Sequence, residues 1–250
     1  MAADASSTWF WRIAAAAALF PAMAWRVQAG ESPLREALFA TANATQDSPT
    51  ALYTAATSPP RRFTLDRSAN PPLLRFEGQD EVMALTITPG PRGDEFYKTD
   101  TGDVVLRATA LGGLILYTPE ARDGMPAALV GQTQPLPPLL APKSAMKRRL
   151  EVIAGDLGRA LGRTVQLATP EGDDVAAGVI VDAAQRAAQA ISAARPALAA
   201  DRPLLIRIGY SKTPQATWSA GALTVQIDPA RGYAGRPSSG AIARAVQAGR

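Results

Sequence analysis

The chain has no cysteine and no histidine among its 250 residues. Without cysteine it can form no disulfide framework, thiolate nucleophile, thiolate zinc site or iron–sulfur ligation of its own. Without histidine it has no Ser-His-Asp or Cys-His machinery, no imidazole proton relay and little scope for transition metals. Acid–base chemistry would fall to carboxylates, lysines or tyrosines. Aromatic residues are also scarce, at 6%. No basic segment interleaves them, so the stacking platforms of single-stranded nucleic-acid binders are missing. No nucleic-acid partner, metal or cofactor is expected. The excess of one charge sign is small as well: 26 basic against 22 acidic side chains leaves a net charge of +4. Such a balance gives little electrostatic preference for a partner.

Long hydrophobic runs are absent too. The longest uncharged apolar stretch, Ile13 to Trp25, follows Arg12 and ends shortly before Val27-Gln28-Ala29. It is too short to cross ~30 Å of hydrocarbon, but it has the length of a signal-peptide core, with small residues where a signal peptidase cuts. Ala22-Met23-Ala24 is a second possible cleavage site. Residues 1–29 therefore read as a signal peptide and the mature protein as periplasmic. No membrane span is expected after cleavage, and no cysteine is available for a lipid anchor.

What is present divides the remaining chain into segments. Residues 30–60 read as an N-terminal helix and linker. Ser32 caps and Pro33 takes the first helical position before Leu34-Arg35-Glu36-Ala37-Leu38, and an Ala/Thr/Ser/Pro stretch from Thr45 to Pro60 acts as a tether. Residues 61–133 alternate apolar and polar, as in Phe63/Leu65, Leu74/Phe76, Met83/Leu85/Ile87 and Val104/Leu106/Ala108. Turn formers separate these runs at Asn70-Pro71-Pro72, Pro89-Gly90-Pro91-Arg92-Gly93 and Asp100-Thr101-Gly102-Asp103. One apolar face per run predicts an antiparallel meander of about six strands. Residues 134–142, Gln134 to Pro142, form a stiff proline-studded linker.

Residues 143–250 mix helix and strand. Met146, Leu150, Ile153, Leu157 and Leu161 make one helical stripe ending near Gly162. Val165-Gln166-Leu167 is a short strand, and Asp173-Asp174 caps a long alanine-rich helix that stops before Pro196. Leu204/Ile206/Ile208 and Leu223/Val225/Ile227 are strands, and Pro237-Ser238-Ser239 opens a terminal helix with Ile242 and Val246 inward. The fold class is α+β, an antiparallel β domain followed by a smaller α+β domain.

Few motifs carry chemistry. Asp100-Thr101-Gly102 is the aspartic-peptidase tripeptide, but Lys98-Thr99 precede it and Asp103 follows it, and a hairpin turn explains it better. Ser144-Ala145-Met146-Lys147 fits the Ser-x-x-Lys nucleophile pattern at a helix start. Its companion Lys-Thr-Gly is missing, the nearest being Lys212-Thr213-Pro214. Arg92-Gly93-Asp94 reads as a hairpin corner. The carboxylates Asp80, Glu81, Asp94, Glu95 and Asp123 fall in expected turns, where two of them could flank a glycosidic bond. The most unusual loop is Gly232 to Gly240. Arg236 gives it a fixed positive charge, and Ser238 and Ser239 stand at a helix N-terminus whose free amides suit an anion; a capped helix start with Arg236 paired to a nearby acid of the chain explains the same loop. A basic helix start at Lys147 and Arg148 reads as a solvated helix face and is the second candidate contact surface.

Taken together, the Phe63–Arg67, Leu74–Phe76, Pro89–Asp94 and Leu106–Gly113 segments and the 232–240 loop resemble a family of exported alphaproteobacterial proteins catalogued as a domain of unknown function. The resemblance implies an alphaproteobacterial source and a periplasmic home, and brings no activity or catalytic residue. The reading that follows is a non-enzymatic periplasmic binding or accessory protein for a cell-envelope component or protein partner, with contacts at Arg236, Ser238, Ser239, Lys147 and Arg148. The rival is a carboxylate-dependent hydrolase centred on Asp100.

Overall fold

The computed structural model describes residues 49–194 and 203–249. The expected signal peptide and N-terminal helix lie outside them. Nine strands form the first sheet: β1 (Thr50–Ala55), β2 (Arg61–Asp66), β3 (Leu73–Phe76), β4 (Val82–Ala84), β5 (Thr86–Pro89), β6 (Glu95–Lys98), β7 (Val104–Ala108), β8 (Leu114–Thr118) and β9 (Ala121–Gln132). They pair antiparallel in the order β4-β3-β2-β1-β9-β8-β7-β6-β5. The two end strands, β4 and β5, are separated in sequence only by Leu85, which is 1% exposed. A sheet whose ends are one residue apart must curl until they meet, and the result is a nearly closed barrel. Tyr53, Phe63, Leu65, Leu74, Leu106 and Leu116 fill it, all fully buried, with the Tyr53 and Phe63 rings stacked at 5.5 Å.

The barrel corrects the expectation of about six strands. Residues within the supposed Thr45–Pro60 tether form β1, which pairs with both β2 and β9 and so joins the two halves of the meander. Its inward residues Ala51, Tyr53 and Ala55 are completely buried. Two of the three are alanines, so the apolar signal was too small to stand out from an alanine-rich background. Glu95 and Asp123, expected in turns, lie in β6 and β9.

The second sheet contains β10 (Val165–Ala168), β11 (Leu204–Tyr210), β12 (Gln215–Ser219) and β13 (Ala222–Ile227), in the order β10-β11-β13-β12. β10, β11 and β13 run parallel, and β12 pairs antiparallel with β13. Only one face is buried: Leu204, Ile206 and Ile208 alternate with more exposed neighbours, as do Leu223, Val225 and Ile227. Three helices cover that face, α1 (Lys143–Leu161), α2 (Asp174–Ala193) and α3 (Ser239–Ala248). α2 lies over β11 and β13, with α1 toward β10 and α3 toward β12. The helix ends obey the sequence. Gly162 takes a left-handed conformation (φ 67°) after α1, and the side chains of Asp173 and Ser238 cap α2 and α3. β12 was not anticipated; its alternation is polar and short (Gln215 to Ser219), and it is an edge strand.

The 133–142 segment is extended but not a free spacer. The amide of Leu136 donates to Asp66 (2.8 Å), and the amide of Ala141 donates to the carbonyl of Asp174 (3.2 Å). The segment is a strap tied to the barrel at one end and to α2 at the other.

Candidate functional site

The loop leading into α3 brings the expected contact residues together. After a 3₁₀ turn (Pro229–Gly235), Arg236 is extended and Ser238 caps α3, its hydroxyl accepting from the amide of Ala241 at 3.0 Å. The exposed amides of a helix start attract negative charge, and the chain supplies that charge itself. Ser238 donates its amide and hydroxyl to the two carboxylate oxygens of Asp100 (2.7 and 2.6 Å). Ser239 does the same for Glu81, its amide at 2.8 Å and its hydroxyl in a short contact. Asp100 comes from the β6–β7 turn and Glu81 from the loop before β4, so both anions belong to the barrel. Asp100, behind the hydrolase reading, and Ser238, behind the anion-site reading, are therefore partners.

Behind these serines lies a buried charge cluster. Arg236, 4% exposed, donates from its Nε to Asp182 of α2 and from one terminal nitrogen to the carbonyl of Val82 (2.8 Å), and its other terminal nitrogen lies 3.8 Å from Glu81. Arg186, one turn along α2, lies 3.7 Å from Asp182 and 3.9 Å from Glu81 and donates to Gln189 (2.8 Å). Two arginines face two carboxylates, so the cluster is neutral as a whole while every charge is out of water. Burial and the nearby Asp182 charge push the Tyr233 hydroxyl upward, against the opposing pull of the arginines; that hydroxyl donates to the carbonyl of Pro137 (2.9 Å). On the rim, Arg244 of α3 donates to the carbonyl of Thr101 (2.7 Å) and pairs with Asp103. Arg244 is also the main reason the Asp103 carboxyl is held below its ordinary range. The whole arrangement is a polar joint between barrel and α+β domain.

Asp182 and Arg186 were not singled out in the sequence. Their signal was there: a charged pair at i, i+4 in the middle of an alanine-rich helix with a buried face has to be answered by buried partners. Among the other carboxylates, Asp94 is held below its ordinary range by the amide of Ala110 and then by Arg107. Among the described residues no group of three or more acidic side chains is placed to hold a metal ion.

Lys147 and Arg148 stand apart from this joint, exposed on the first turns of α1. Arg148 and Arg149 edge a groove whose floor is α2, whose one wall is α1 and whose other wall is the strap and the β3–β4 turn. At the strap end, a pocket of about 430 Å³ is lined by Leu139, Leu140, Val152, Ile153, Gly178 and Val181. A second pocket of about 620 Å³ continues past Ile153 and Gln185, which both pockets share, to Asp156, Arg186 and the turn at Asp80. Leu140 and Val152 present 60% and 56% of their surface to solvent here, which is unusual for large apolar side chains at a concave site.

The family model described as "Domain of unknown function (DUF4908)" matches residues 33–246. The chain belongs to this family. The match spans the barrel, the strap and the α+β domain in one unit, and it begins sixteen residues before the first described residue. No curated protein and no solved structure matches the chain. Among the described residues, no helix is long and apolar enough to cross a membrane.

Proposed function

We propose that the protein is an exported, periplasmic accessory protein without catalytic activity, and that it works by holding a short amphipathic segment of a protein partner in the α1–α2 groove. The observation that carries this reading is the strap end of the groove, where Leu139, Leu140, Val152, Ile153 and Val181 line the pocket, with Leu140 and Val152 open to solvent, beside the positive edge of Arg148 and Arg149. The stretch of α1 from Arg148 to Ala160 is ~18 Å long at 1.5 Å per residue, about three turns of a docked helix. Apolar anchors at one end of such a helix would meet Leu139, Leu140, Val152 and Val181, acidic residues beside them would meet Arg148 and Arg149, and polar residues further along would meet Gln185 and Gln189. Export is supported by the Ile13–Trp25 stretch and the small residues before Gly30. The hydrolase reading depends on Asp100, whose two oxygens are both committed to Ser238.

Two measurements test the proposal. Cell fractionation with N-terminal sequencing is expected to recover the protein in the periplasm, beginning after Ala29 or Ala24; intact protein in the cytosol would overturn the export half. Fluorescence anisotropy with a labelled twelve-residue amphipathic helix is expected to show about tenfold tighter binding for an acidic polar face than for a lysine-faced counterpart, a difference of ~1.4 kcal/mol. The preference is expected to disappear in Arg148→Glu/Arg149→Glu. Equal binding of both probes, or of neither, would overturn the groove half.

A further inference from the structure

We infer that the groove reads the carboxyl-terminal end of its partner. The last apolar side chains of a helical tail fill the pocket at the strap, and the free α-carboxylate beside them meets Arg148 and Arg149. This rests on the groove being a binding surface, as proposed above, and names which part of a partner enters it.

The first observation is that the groove is closed at the strap end, because its two walls there are one continuous piece of chain. The strap lies directly on α2 at Gly178. A Cβ at that position would come within 2.6 Å of the Leu139 carbonyl oxygen and 2.9 Å of the Leu140 amide nitrogen, so no second chain fits between strap and helix. By Lys143 the same chain has become α1. The turn between the two is pinned to the start of α2: the Ala141 amide donates to the Asp174 carbonyl (3.2 Å) and the Lys143 amide to the Asp174 carboxylate (2.7 Å). Strap and α1 therefore converge on one helix end, and an occupant lying along α2 has to stop there or turn out into solvent. At the far end the walls are the β3–β4 turn at Gly78–Asp80 and α1, which are separate parts of the chain.

The second observation decides which chain end suits the closed end. A polypeptide stops either in an ammonium or in a carboxylate. Arg148 and Arg149 line the pocket here, and Lys143 and Lys147 stand on the same turns of α1. Asp182, the acid in that lining, is already bonded by Arg236 and has Arg186 at 3.7 Å, so its charge is answered within the protein. An ammonium would meet cations, whereas a carboxylate would meet guanidinium groups whose forked donors match its two oxygens. The occupant then runs antiparallel to α2, which starts at the closed end, so the negative pole of one helix faces the positive pole of the other.

The third observation is where the apolar surface lies. The pocket of about 430 Å³ against the strap is walled by Leu139, Leu140, Val152 and Val181, while beyond Ile153 the lining turns polar at Gln185 and Gln189. Apolar contact is concentrated where the last residues of a tail would lie, and the carboxylate site adjoins it. A side-chain anchor next to a captured terminal carboxylate is an established way of recognising a chain end.

Anisotropy with the full chain tests this. The probe is a twelve-residue acidic helix ending in leucine, labelled at its amino terminus and made as the free acid, as the carboxyl-terminal amide, and with a four-residue Gly/Ser extension after the leucine. The amide and the extended form are expected to bind about tenfold more weakly than the free acid, while the same extension at the amino terminus changes binding by less than about twofold. Arg148→Gln/Arg149→Gln replaces exposed side chains; in it the acid and the amide should bind alike, with the extended form still the weakest. Equal binding of acid and amide by the wild type, or an unpenalised carboxyl-terminal extension, would overturn the inference. A larger penalty for the amino-terminal extension would reverse the direction of the occupant and overturn it too. The two readings fail separately. Acidic helices that bind better than lysine-faced ones whatever their terminus remove this inference and leave the binding function, and no binding of any form removes both.

Discussion

Ser238 gives both of its donors to one side chain, the carboxylate of Asp100, across the boundary between the α+β domain and the barrel. The same hydroxyl oxygen accepts from Ala241 inside α3, so one serine both caps a helix and fastens it to a β-turn. A helix start that would bind a free anion is filled here by a tethered one, which makes the joint part of the fold's own cohesion.

Asp100→Ala should therefore weaken the protein without removing an activity. The loss expected is about 1–2 kcal/mol, the scale of a helix-cap interaction, read as a lower urea midpoint with unchanged slope. Probe binding in the groove should be unaffected, because Asp100 does not line it. A loss of binding with unchanged stability would contradict this role.

The charge cluster behind Ser238 should be far more sensitive. Arg236 touches Asp182, lies near Glu81 and also holds the Val82 carbonyl. Arg236→Ala leaves two buried carboxylates with Arg186 alone, and removal of one member of a buried ion network costs about 3–5 kcal/mol. Arg236→Lys keeps the charge but cannot reproduce the planar fork, so it should fall between wild type and alanine. The double variant Arg236→Ala/Asp182→Ala should cost less than the sum of its single changes, a coupling that thermal or chemical denaturation measures directly.

Much of this was legible in the sequence, and the failures have physical causes. Helices α1, α2 and α3 and the α+β class followed from helical stripes and caps at Asp173, Ser238 and Gly162. β1 was lost because alanine carries too little apolar surface to mark a face, and β12 because an edge strand needs no such face. That Arg236, Ser238 and Ser239 need acidic partners was readable from charge and free amides, and the chain's own carboxylates supply them. What no local pattern could give is which anion arrives. Asp100 and Glu81 lie 138 and 158 residues away in sequence from the serines that hold them, and only barrel closure brings them there.

Acid should loosen the barrel through a separate carboxylate. Burial alone would raise the Asp66 carboxyl, but the hydrogen bonds from Ser68, the Leu136 amide and Thr50 outweigh it and hold the group below its ordinary range. A carboxyl lowered in the folded state contributes stability above its unfolded value, ~3.9, and loses it as pH falls through the lower folded value. Asp103, lowered chiefly by Arg244, acts in the same direction. Urea midpoints should thus be flat from about pH 7 to 5 and fall below about pH 4. Asp66→Asn should be less stable at pH 7 and less steep in acid, with the strap the first element to exchange its amide hydrogens. A variant whose acid slope matches wild type would exclude Asp66 as the responsible group.

Gly178 offers a test in which two simple rules disagree. It lies inside α2, where alanine is intrinsically better than glycine by about 1 kcal/mol. On helix propensity alone, Gly178→Ala should stabilise. A Cβ at this position, however, would sit 2.6 Å from the Leu139 carbonyl oxygen and 2.9 Å from the Leu140 amide nitrogen. Those are backbone atoms of the strap, fixed by the Leu136–Asp66 and Ala141–Asp174 hydrogen bonds, so they cannot swing aside as the tip of a flexible side chain would. Packing should win. Gly178→Ala is expected to lower the unfolding midpoint and to raise hydrogen exchange at Leu139–Ala141, while Gly155→Ala, in the exposed part of α1 with only the Arg159 side chain nearby at 3.8 Å, should stabilise as propensity dictates. If both substitutions stabilise, the strap is not seated on α2 as described, and the groove it walls would lose one of its sides.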